Sequence, residues 1–253
     1  MIDLAEVAWL GVVAGVVPVY LGLIPLILMG KISQGWRDFV LSVTNGILIY
    51  LFSDVLMESV ELSHEADIAY GPTILLVGLS IAVLSLLALD LFRKSHRSDM
   101  QESVGVKGGR SLAYMISLGI GLHNLGEGLA IGSSYAAGQI SLSLALVVGF
   151  ALHNGTEGFG IIAPISGKQI NWRDIVLLGL LAGFPTVVGS IIGAVNYSAS
   201  LATFFFAVAA GGLLYVLVEL IRMIDLGNRR SIVISGILVG TILMYLTELL
   251  LEI

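Results

Sequence analysis

Long apolar stretches separated by short polar segments make up most of the chain. A helix needs about 20 mainly apolar residues to cross a bilayer. Eight stretches meet this requirement, and they are apolar on all sides, which argues against amphipathic helices that lie on a membrane surface. The pattern predicts eight transmembrane helices, which we number as spans 1 to 8: residues 7–29, 39–57, 73–92, 111–136, 140–163, 175–195, 201–221 and 231–250.

The composition agrees with a membrane protein and excludes several other classes. Hydrophobic residues make up 57% of the chain and charged residues 12%, and the mean hydropathy is +0.99. A soluble domain is about 45–50% apolar and about 25% charged, so this chain has too few charges to cover a water-soluble globule. The net charge of −6 argues against nucleic-acid binding, and the absence of cysteine excludes disulfides and thiolate metal ligands. We therefore expect an all-α integral membrane protein.

The basic residues predict the orientation of the spans. All 12 Lys and Arg residues fall in the connections after spans 1, 3, 5 and 7, hence on one side of the membrane. The positive-inside rule makes that side cytoplasmic, which places both termini outside. The longest connection, residues 93–110, is polar and basic and is expected to be a flexible cytoplasmic loop. Residues 1–253 then form one multi-pass transmembrane domain in the plasma membrane, without an attached soluble domain.

A polar motif, H-N-x-x-E-G, occurs in the middle of span 4 and again in span 5, and its two copies are 30 residues apart. Ionisable groups at this depth are costly, by about 2.5 kcal/mol or more for each charged form, so they need partners. A chance repeat in two apolar helices is improbable, and a bound cation would supply the partner. The motif residues are His123, Asn124, Glu127 and Gly128 in span 4, and His153, Asn154, Glu157 and Gly158 in span 5.

Helix geometry predicts how the two copies meet. The His and Glu of each copy are four residues apart and share a helix face, which the Asn borders. The turn between the spans centres near Gly138, which puts both imidazoles roughly 22 Å along the helix from it, near mid-membrane. Glu127 is then a turn nearer the exterior and Glu157 a turn nearer the cytoplasm, so the ligands form a ladder. Gly128 and Gly158 are expected to let the two helices approach closely.

The candidate ligands favour a particular class of metal. Two imidazoles, two carboxylates and two amides without sulfur suit a borderline divalent ion: zinc, ferrous iron, manganese or cobalt. Calcium prefers oxygen alone and copper(I) prefers sulfur, so neither matches this set. The alternative is a buried hydrogen-bond network between the helices in which the glutamates are protonated. The duplication and the matched depth favour the metal site, because packing alone requires neither.

Acidic residues in other spans suggest a path to the site. Asp54 and Glu58 lie four residues apart near the outer end of span 2 and are candidates for an entrance. Glu219 lies toward the cytoplasmic end of span 7 and is a candidate for an exit. The alternative for each is solvation at the membrane interface. Pro18 and Pro25 are expected to kink span 1, and Pro185 is expected to kink span 6.

With eight spans, a cytoplasmic connection after span 3 and the motif in span 4, the chain resembles the ZIP (Zrt/Irt-like) family of metal transporters. The paired motifs look most like the prokaryotic branch of that family. The resemblance implies uptake of zinc or related ions into the cytoplasm through a binuclear site. It also implies inverted repeats of spans 1–3 and 6–8 around spans 4 and 5. The ligands that it implies are His123, Asn124, Glu127, His153, Asn154, Glu157 and Glu219.

The chain departs from the family pattern at several positions. Gly126 and Thr156 occupy motif positions where the family usually has proline. Gly46 in span 2 is not followed by the methionine ligand that some bacterial relatives place there. Asn154 stands where many members carry an acid, which makes the second metal position less negative.

We therefore expect a secondary transporter that moves divalent metal inward by alternating access. Zinc is the favoured ion, with iron, manganese, cobalt and cadmium as further substrates. No ATP-binding motif of the form G-x-x-x-x-G-K-[ST] is present, which argues against a primary pump. A divalent-metal-selective channel is an alternative, since a static ladder of ligands would serve it equally well.

A membrane-embedded metalloenzyme is the less favoured alternative. In both motifs His precedes Glu by four residues, whereas di-iron bundles use Glu-x-x-His. The zincin motif H-E-x-x-H is absent. We therefore expect no enzyme activity and no prosthetic group. The expected partners are divalent metal ions and the lipid bilayer, with a homodimer left open.

Overall fold

The computed structural model describes residues 2–28, 33–64, 70–95, 107–165, 170–196, 198–222, 224 and 226–249. Within these ranges the chain consists of helices and short connections. The first helix, α1, comprises Leu4–Gly11, a π-helical turn Val12–Val16 and Val17–Leu28. The following helices are α2 Gln34–Ser63, α3 Gly71–Ser95, α4 Lys107–Ala136, α5 Ile140–Ile162, α6 Trp172–Val195, α7 Ala199–Ile221 and α8 Arg230–Leu249, and a 3-10 turn Ala163–Ile165 extends α5.

The helices agree with the predicted spans. Every predicted span is helical over the described residues, and only Met29 and Leu250, at span ends, lie outside them. Seven of the described helices are long and apolar enough to cross a membrane. α4 is not among these seven, although it has 30 residues, because the polar side chains of its motif interrupt the apolar sequence. The all-helical fold is confirmed, whereas the orientation and the inverted repeats stay predictions.

The segment predicted as a flexible loop, residues 93–110, is partly helical. α3 extends to Ser95 and α4 begins at Lys107, so the helices take in both ends of the segment. Residues 96–106 lie outside the described part of the chain, and the flexible loop stays a prediction there.

Local polar interactions fix several helix ends. Ser33, Asn171 and Ser198 each accept a hydrogen bond from a backbone N–H in the first turn of α2, α6 and α7, respectively. Such a cap satisfies one of the N–H groups that the start of a helix leaves unpaired. Gly138 lies between α4 and α5 with a φ of +76°, a conformation that glycine adopts without strain. This tight turn makes the two motif helices antiparallel neighbours.

The helices pack in two groups. In the first group α4 lies along α6, and α1 packs against α5 and α6. In the second group α2 packs against α7 and α8, and α3 packs against α7. The groups meet chiefly where α4 packs on α7, and an apolar core cluster includes this junction. Its residues include Ile116 and Ile120 from α4, Leu213 and Val216 from α7, and Leu48 from α2.

The motif glycines correct one expectation from the sequence. A Cβ added to Gly128 would lie 2.2 Å from the carbonyl oxygen of Thr186 in α6, and one added to Gly158 would lie 2.2 Å from that of Val19 in α1. The expectation that these glycines bring α4 and α5 together is therefore wrong. Each glycine follows its glutamate by one residue, about 100° around the helix, so it faces a different neighbour.

Carboxylates at helix ends are paired with arginines. Asp174 of α6 is almost fully buried and lies 2.5 Å from the guanidinium of Arg110, and it also accepts a hydrogen bond from Tyr114 at 2.7 Å. The hydrogen bond that Arg110 donates to Asp174 raises the pKa of Arg110, which favours its charged form. Arg229 makes a similar pair, at 2.6 Å, with the buried Asp38 of α2. These pairs tie α4 to α6 and the start of α8 to α2.

Candidate metal centre

The two motifs face each other across the contact between α4 and α5. Both imidazoles, both amides and both carboxylates are buried, and the ring centroids of His123 and His153 are 6.0 Å apart. Phe150 packs beside His153, with ring centroids 5.4 Å apart. A buried, partly apolar wall of this kind strengthens electrostatic interactions between the polar groups inside it.

The carboxylates and imidazoles pair between the helices as well as along them. Glu127 Oε1 contacts Nε2 of His153 on the other helix and lies 3.1 Å from Nε2 of His123 on its own helix. Nε2 of His123 lies 3.8 Å from Oε1 of Glu157. Glu127 therefore bridges the two imidazoles, whereas Glu157 approaches the imidazole of His123.

Three of these side chains converge on one point. Single ligand atoms of His123, Glu127 and His153 all lie within 4.8 Å of one another, and the three residues are buried. This is the group of potential metal ligands that the described residues form. Two imidazole nitrogens and a carboxylate oxygen match the ligands that zinc accepts in proteins.

The two amides are held by backbone carbonyls. Asn154 Nδ2 donates to the carbonyl oxygen of Ala14 in α1 at 3.0 Å and to Oε2 of Glu127 at 2.8 Å. Asn124 Nδ2 donates to the carbonyl oxygen of Ala182 in α6 at 3.0 Å. The amide oxygens, Oδ1 of Asn124 and of Asn154, accept no hydrogen bond from the described residues. Both amides thus use their donors on the protein and keep their acceptors available.

Pro18 explains why the carbonyl of Ala14 can accept this bond. In a regular α-helix the carbonyl of residue 14 accepts from the N–H of residue 18, but proline has no N–H. Ala14 lies in the π-helical turn Val12–Val16, and the N–H of Val17 donates to the carbonyl oxygen of Val12 at the end of this turn. The sequence indicated only a kink at Pro18. The signal in the sequence was a proline in the middle of an apolar span. The motif residues gave no indication that this proline acts on Asn154.

Several buried ligand atoms make no hydrogen bond within the described structure. These are Nδ1 and Nε2 of His123 and both carboxylate oxygens of Glu157, in addition to the two amide oxygens. Most buried polar atoms in proteins are hydrogen-bonded, because an unpaired one is costly. A cation bound between the motifs would satisfy these atoms together. The donor set, nitrogen and oxygen without sulfur, fits a borderline divalent ion.

The predicted entrance residues lie on one face of α2. Asp54 is exposed and close enough to interact electrostatically with His123, His153 and Glu127. Glu58, one turn further along α2, lines a cavity of about 350 Å³ together with residues of α4, α5 and α7. The two carboxylates therefore lead from this cavity toward the motif residues.

Glu219 lies apart from this cluster. Its carboxylate is 2.7 Å from the guanidinium of Arg222, one turn later at the end of α7. It does not belong to the group of His123, Glu127 and His153 that the described residues form. The structure brings together the six motif residues, but it places Glu219 in an ion pair.

Comparison with known proteins identifies the family. A family model described as ZIP zinc transporter matches residues 90–248. The zinc transporter foi of Drosophila melanogaster is 33% identical over 148 residues, which are 55% of this chain and 20% of that protein. The zinc transporter ZIP10 of Homo sapiens is 29% identical over 124 residues, 47% of this chain and 14% of that protein. The zinc transporter GufA of Myxococcus xanthus is 34% identical over 134 residues, 52% of this chain and 53% of that protein.

The extent of these matches differs between the chain and its relatives. The chain spans about half the length of GufA and a fifth or less of the length of foi and ZIP10. The family model covers more than half of the chain, and residues 90–248 include both copies of the motif. The family consists of transporters rather than enzymes. This multi-pass membrane protein belongs to the ZIP zinc transporter family.

Proposed function

We propose that the protein is a secondary transporter that carries divalent metal ions, zinc first among them, into the cytoplasm across the plasma membrane. The observation that carries this proposal is the buried cluster of facing His, Asn and Glu side chains with unpartnered ligand atoms. Membership of the ZIP zinc transporter family supports zinc as the substrate. Iron, manganese, cobalt and cadmium suit the same nitrogen and oxygen ligands.

The geometry supports a division of the ligands between two ion positions. His123, Glu127 and His153 would hold one ion, because their ligand atoms lie within 4.8 Å of one another. Glu157, Asn124 and Asn154 would hold a second ion with their free oxygens. Glu127 carries negative charge for the first position and Glu157 for the second, so the two motifs would form a binuclear site.

Residues outside the motifs would form the path. Asp54 and Glu58 would attract cations at the entrance, since Asp54 is exposed and interacts electrostatically with the cluster. Glu219, which is held by Arg222, would act at the cytoplasmic exit rather than as a ligand of the cluster. With the basic connections in the cytoplasm, this order describes inward movement.

The packing around the amides supports the inverted repeats. Asn154 of α5 is held by a carbonyl four residues before Pro18 of α1, and Asn124 of α4 is held by a carbonyl three residues before Pro185 of α6. Hydrogen bonds from both asparagines to carbonyls shortly before a proline are expected if spans 1–3 and 6–8 are related by inversion around spans 4 and 5. For the branch, the match to GufA, 53% of that protein, supports the prokaryotic side. A homodimer remains part of the proposal.

Transport by purified protein in liposomes tests the proposed function. We expect zinc influx, followed with a zinc-sensing dye inside the vesicles, to saturate with external zinc and to be reduced by cadmium, ferrous iron, manganese or cobalt. Saturation follows from a small number of buried ion positions. Influx that rises linearly with zinc over the whole range would indicate a channel. No influx above that of protein-free vesicles would refute transport.

A proline substitution tests the positioning of Asn154. In Pro18→Ala the new N–H can donate to the carbonyl of Ala14 and compete with Asn154. We expect zinc affinity to fall about 10-fold, as for partners that orient metal ligands in other proteins. Calorimetric titration of the purified protein measures this affinity. Pro25→Ala in the same helix is the matched control and should bind zinc normally, and equal affinity in both variants would contradict the role of Pro18.

A further inference from the structure

Asn45 is a buried polar side chain outside the motifs whose amide makes no hydrogen bond with the described residues. Asn45 lies in α2 and has no exposed surface. Neither its Nδ2 nor its Oδ1 makes a hydrogen bond with the described residues. Its polar neighbours on the same helix differ, because the hydroxyls of Ser42 and Thr44 donate to carbonyl oxygens one turn earlier. Asn45 therefore carries an unsatisfied amide in the middle of a membrane helix.

Asn45 lies on an apolar, buried face of α2. Leu41 and Leu48, four residues before it and three after it, share its face of α2. Both are fully or almost fully buried in the core cluster that also contains Ile116 of α4 and Leu213 of α7. An apolar side chain would suit this position. The amide instead costs free energy for as long as it stays unpaired.

The position of Asn45 relative to the motifs follows from two contacts. A Cβ on Gly160 would lie 2.6 Å from Cγ2 of Thr44, so α5 packs on α2 next to Asn45. Gly160 follows Glu157 by three residues, less than one helical turn. Asp54, which interacts with the cluster from the other direction, lies nine residues after Asn45, roughly 13 Å along α2. Asn45 and Asp54 thus lie at opposite ends of the motif cluster.

Glu157 and Asn45 share a further property. Both carboxylate oxygens of Glu157 make no hydrogen bond in the described structure, and neither does the amide of Asn45. The order along the path is then the exposed Asp54, the cluster of His123, Glu127 and His153, Glu157, and finally Asn45 among the apolar core residues of α2. An oxygen ligand at this place could receive a cation that leaves the carboxylate.

We propose that Asn45 is an additional metal-binding residue on the inner side of the motif site. Its Oδ1 would coordinate the divalent cation after the ion leaves Glu157. This would occur in a state in which the apolar side chains around Asn45 have separated. While these side chains stay packed together, the amide of Asn45 has no hydrogen-bond partner. This destabilises the packed state and favours separation of the side chains. The inference rests on the proposed transport function and adds a ligand to it.

The test replaces the amide with an apolar group of similar volume. In Asn45→Leu we expect a higher Tm in detergent, because an unpaired buried amide is removed. Zinc affinity of the purified protein should stay within about twofold of the unaltered chain, whereas saturated uptake in liposomes should fall at least about 10-fold, as when a metal site loses a supporting group. Thr44→Val is the matched control, since its hydroxyl has a local partner, and should transport normally.

The outcomes separate this inference from the transport proposal. Normal uptake by Asn45→Leu, with the unaltered chain active, would overturn the role of Asn45 alone. A lower Tm together with lower uptake would make Asn45 a structural residue and would also overturn it. If Asn45→Leu does not fold, Asn45→Asp keeps the oxygen ligand and should retain uptake, whereas loss of uptake in a folded Asn45→Asp refutes the proposal. No zinc influx by the unaltered chain would instead refute transport.

Discussion

Glu127→Gln should reduce saturated zinc uptake in liposomes by at least about 100-fold, the upper end of the loss seen when a group that merely supports a metal ligand is removed. Glu127 is the only carboxylate among the three residues whose ligand atoms converge, and it contacts both His153 and His123. The substitution keeps the volume of the side chain and removes its negative charge. In a buried site that charge compensates a divalent ion most strongly.

Two variants serve as comparisons for this prediction. Asn124→Ala removes a neutral amide whose oxygen has no partner and should reduce uptake much less than Glu127→Gln. Glu157→Gln should also reduce uptake strongly, because Glu157 is the buried carboxylate of the second motif and lies near His123. Equal amounts of folded protein have to be reconstituted. Uptake at the unaltered rate by both glutamine variants would mean that the motif network is structural and that the transport proposal lacks its main support.

The sequence was sufficient to predict the helices and the residues that meet at the centre. Its apolar stretches correspond to the described helices, because length and hydropathy alone decide whether a segment can cross a bilayer. The repeated His, Asn and Glu could be recognised because polar groups are rare within such stretches. Their four-residue spacing and the short turn at Gly138 were enough to predict that the two motifs face each other.

The parts that the sequence did not predict depend on tertiary contacts. The carbonyls of Ala14 and Ala182 hold the two asparagines, and no side-chain motif marks a backbone acceptor. The pairing of His123 with Glu157 depends on the stagger of the two helices, which a count of residues from the turn does not fix to within one helical turn. Glu219 pairs with Arg222, three residues later on the same helix face. The sequence alone did not decide between this ion pair and a role of Glu219 as a metal ligand.

The helix contacts behind the site are as restrictive as its ligands. A Cβ at Gly128 would lie 2.2 Å from the carbonyl oxygen of Thr186 and 2.7 Å from the amide nitrogen of Ser190, and both are backbone atoms of α6. A Cβ at Gly155, within the motif of α5, would have its nearest neighbour 3.9 Å away, at the carbonyl oxygen of Pro18. Substitution by alanine therefore causes a clash with backbone atoms at Gly128, whereas the methyl group has free space at Gly155.

Gly128→Ala should consequently lower the stability of the protein, whereas Gly155→Ala should not. At Gly128 the methyl group forces α4 away from α6, and overpacking of this kind costs about 1–3 kcal/mol, which lowers the Tm of a chain of this size by about 2–12 °C. At Gly155 alanine restricts the unfolded chain without a clash, so the Tm should stay equal or rise. Thermal unfolding in detergent measures the Tm of both variants. Gly158→Ala should behave like Gly128→Ala, because a Cβ at Gly158 would lie 2.2 Å from the carbonyl oxygen of Val19. A Gly128→Ala protein as stable as Gly155→Ala would show that α4 and α6 are not in close backbone contact.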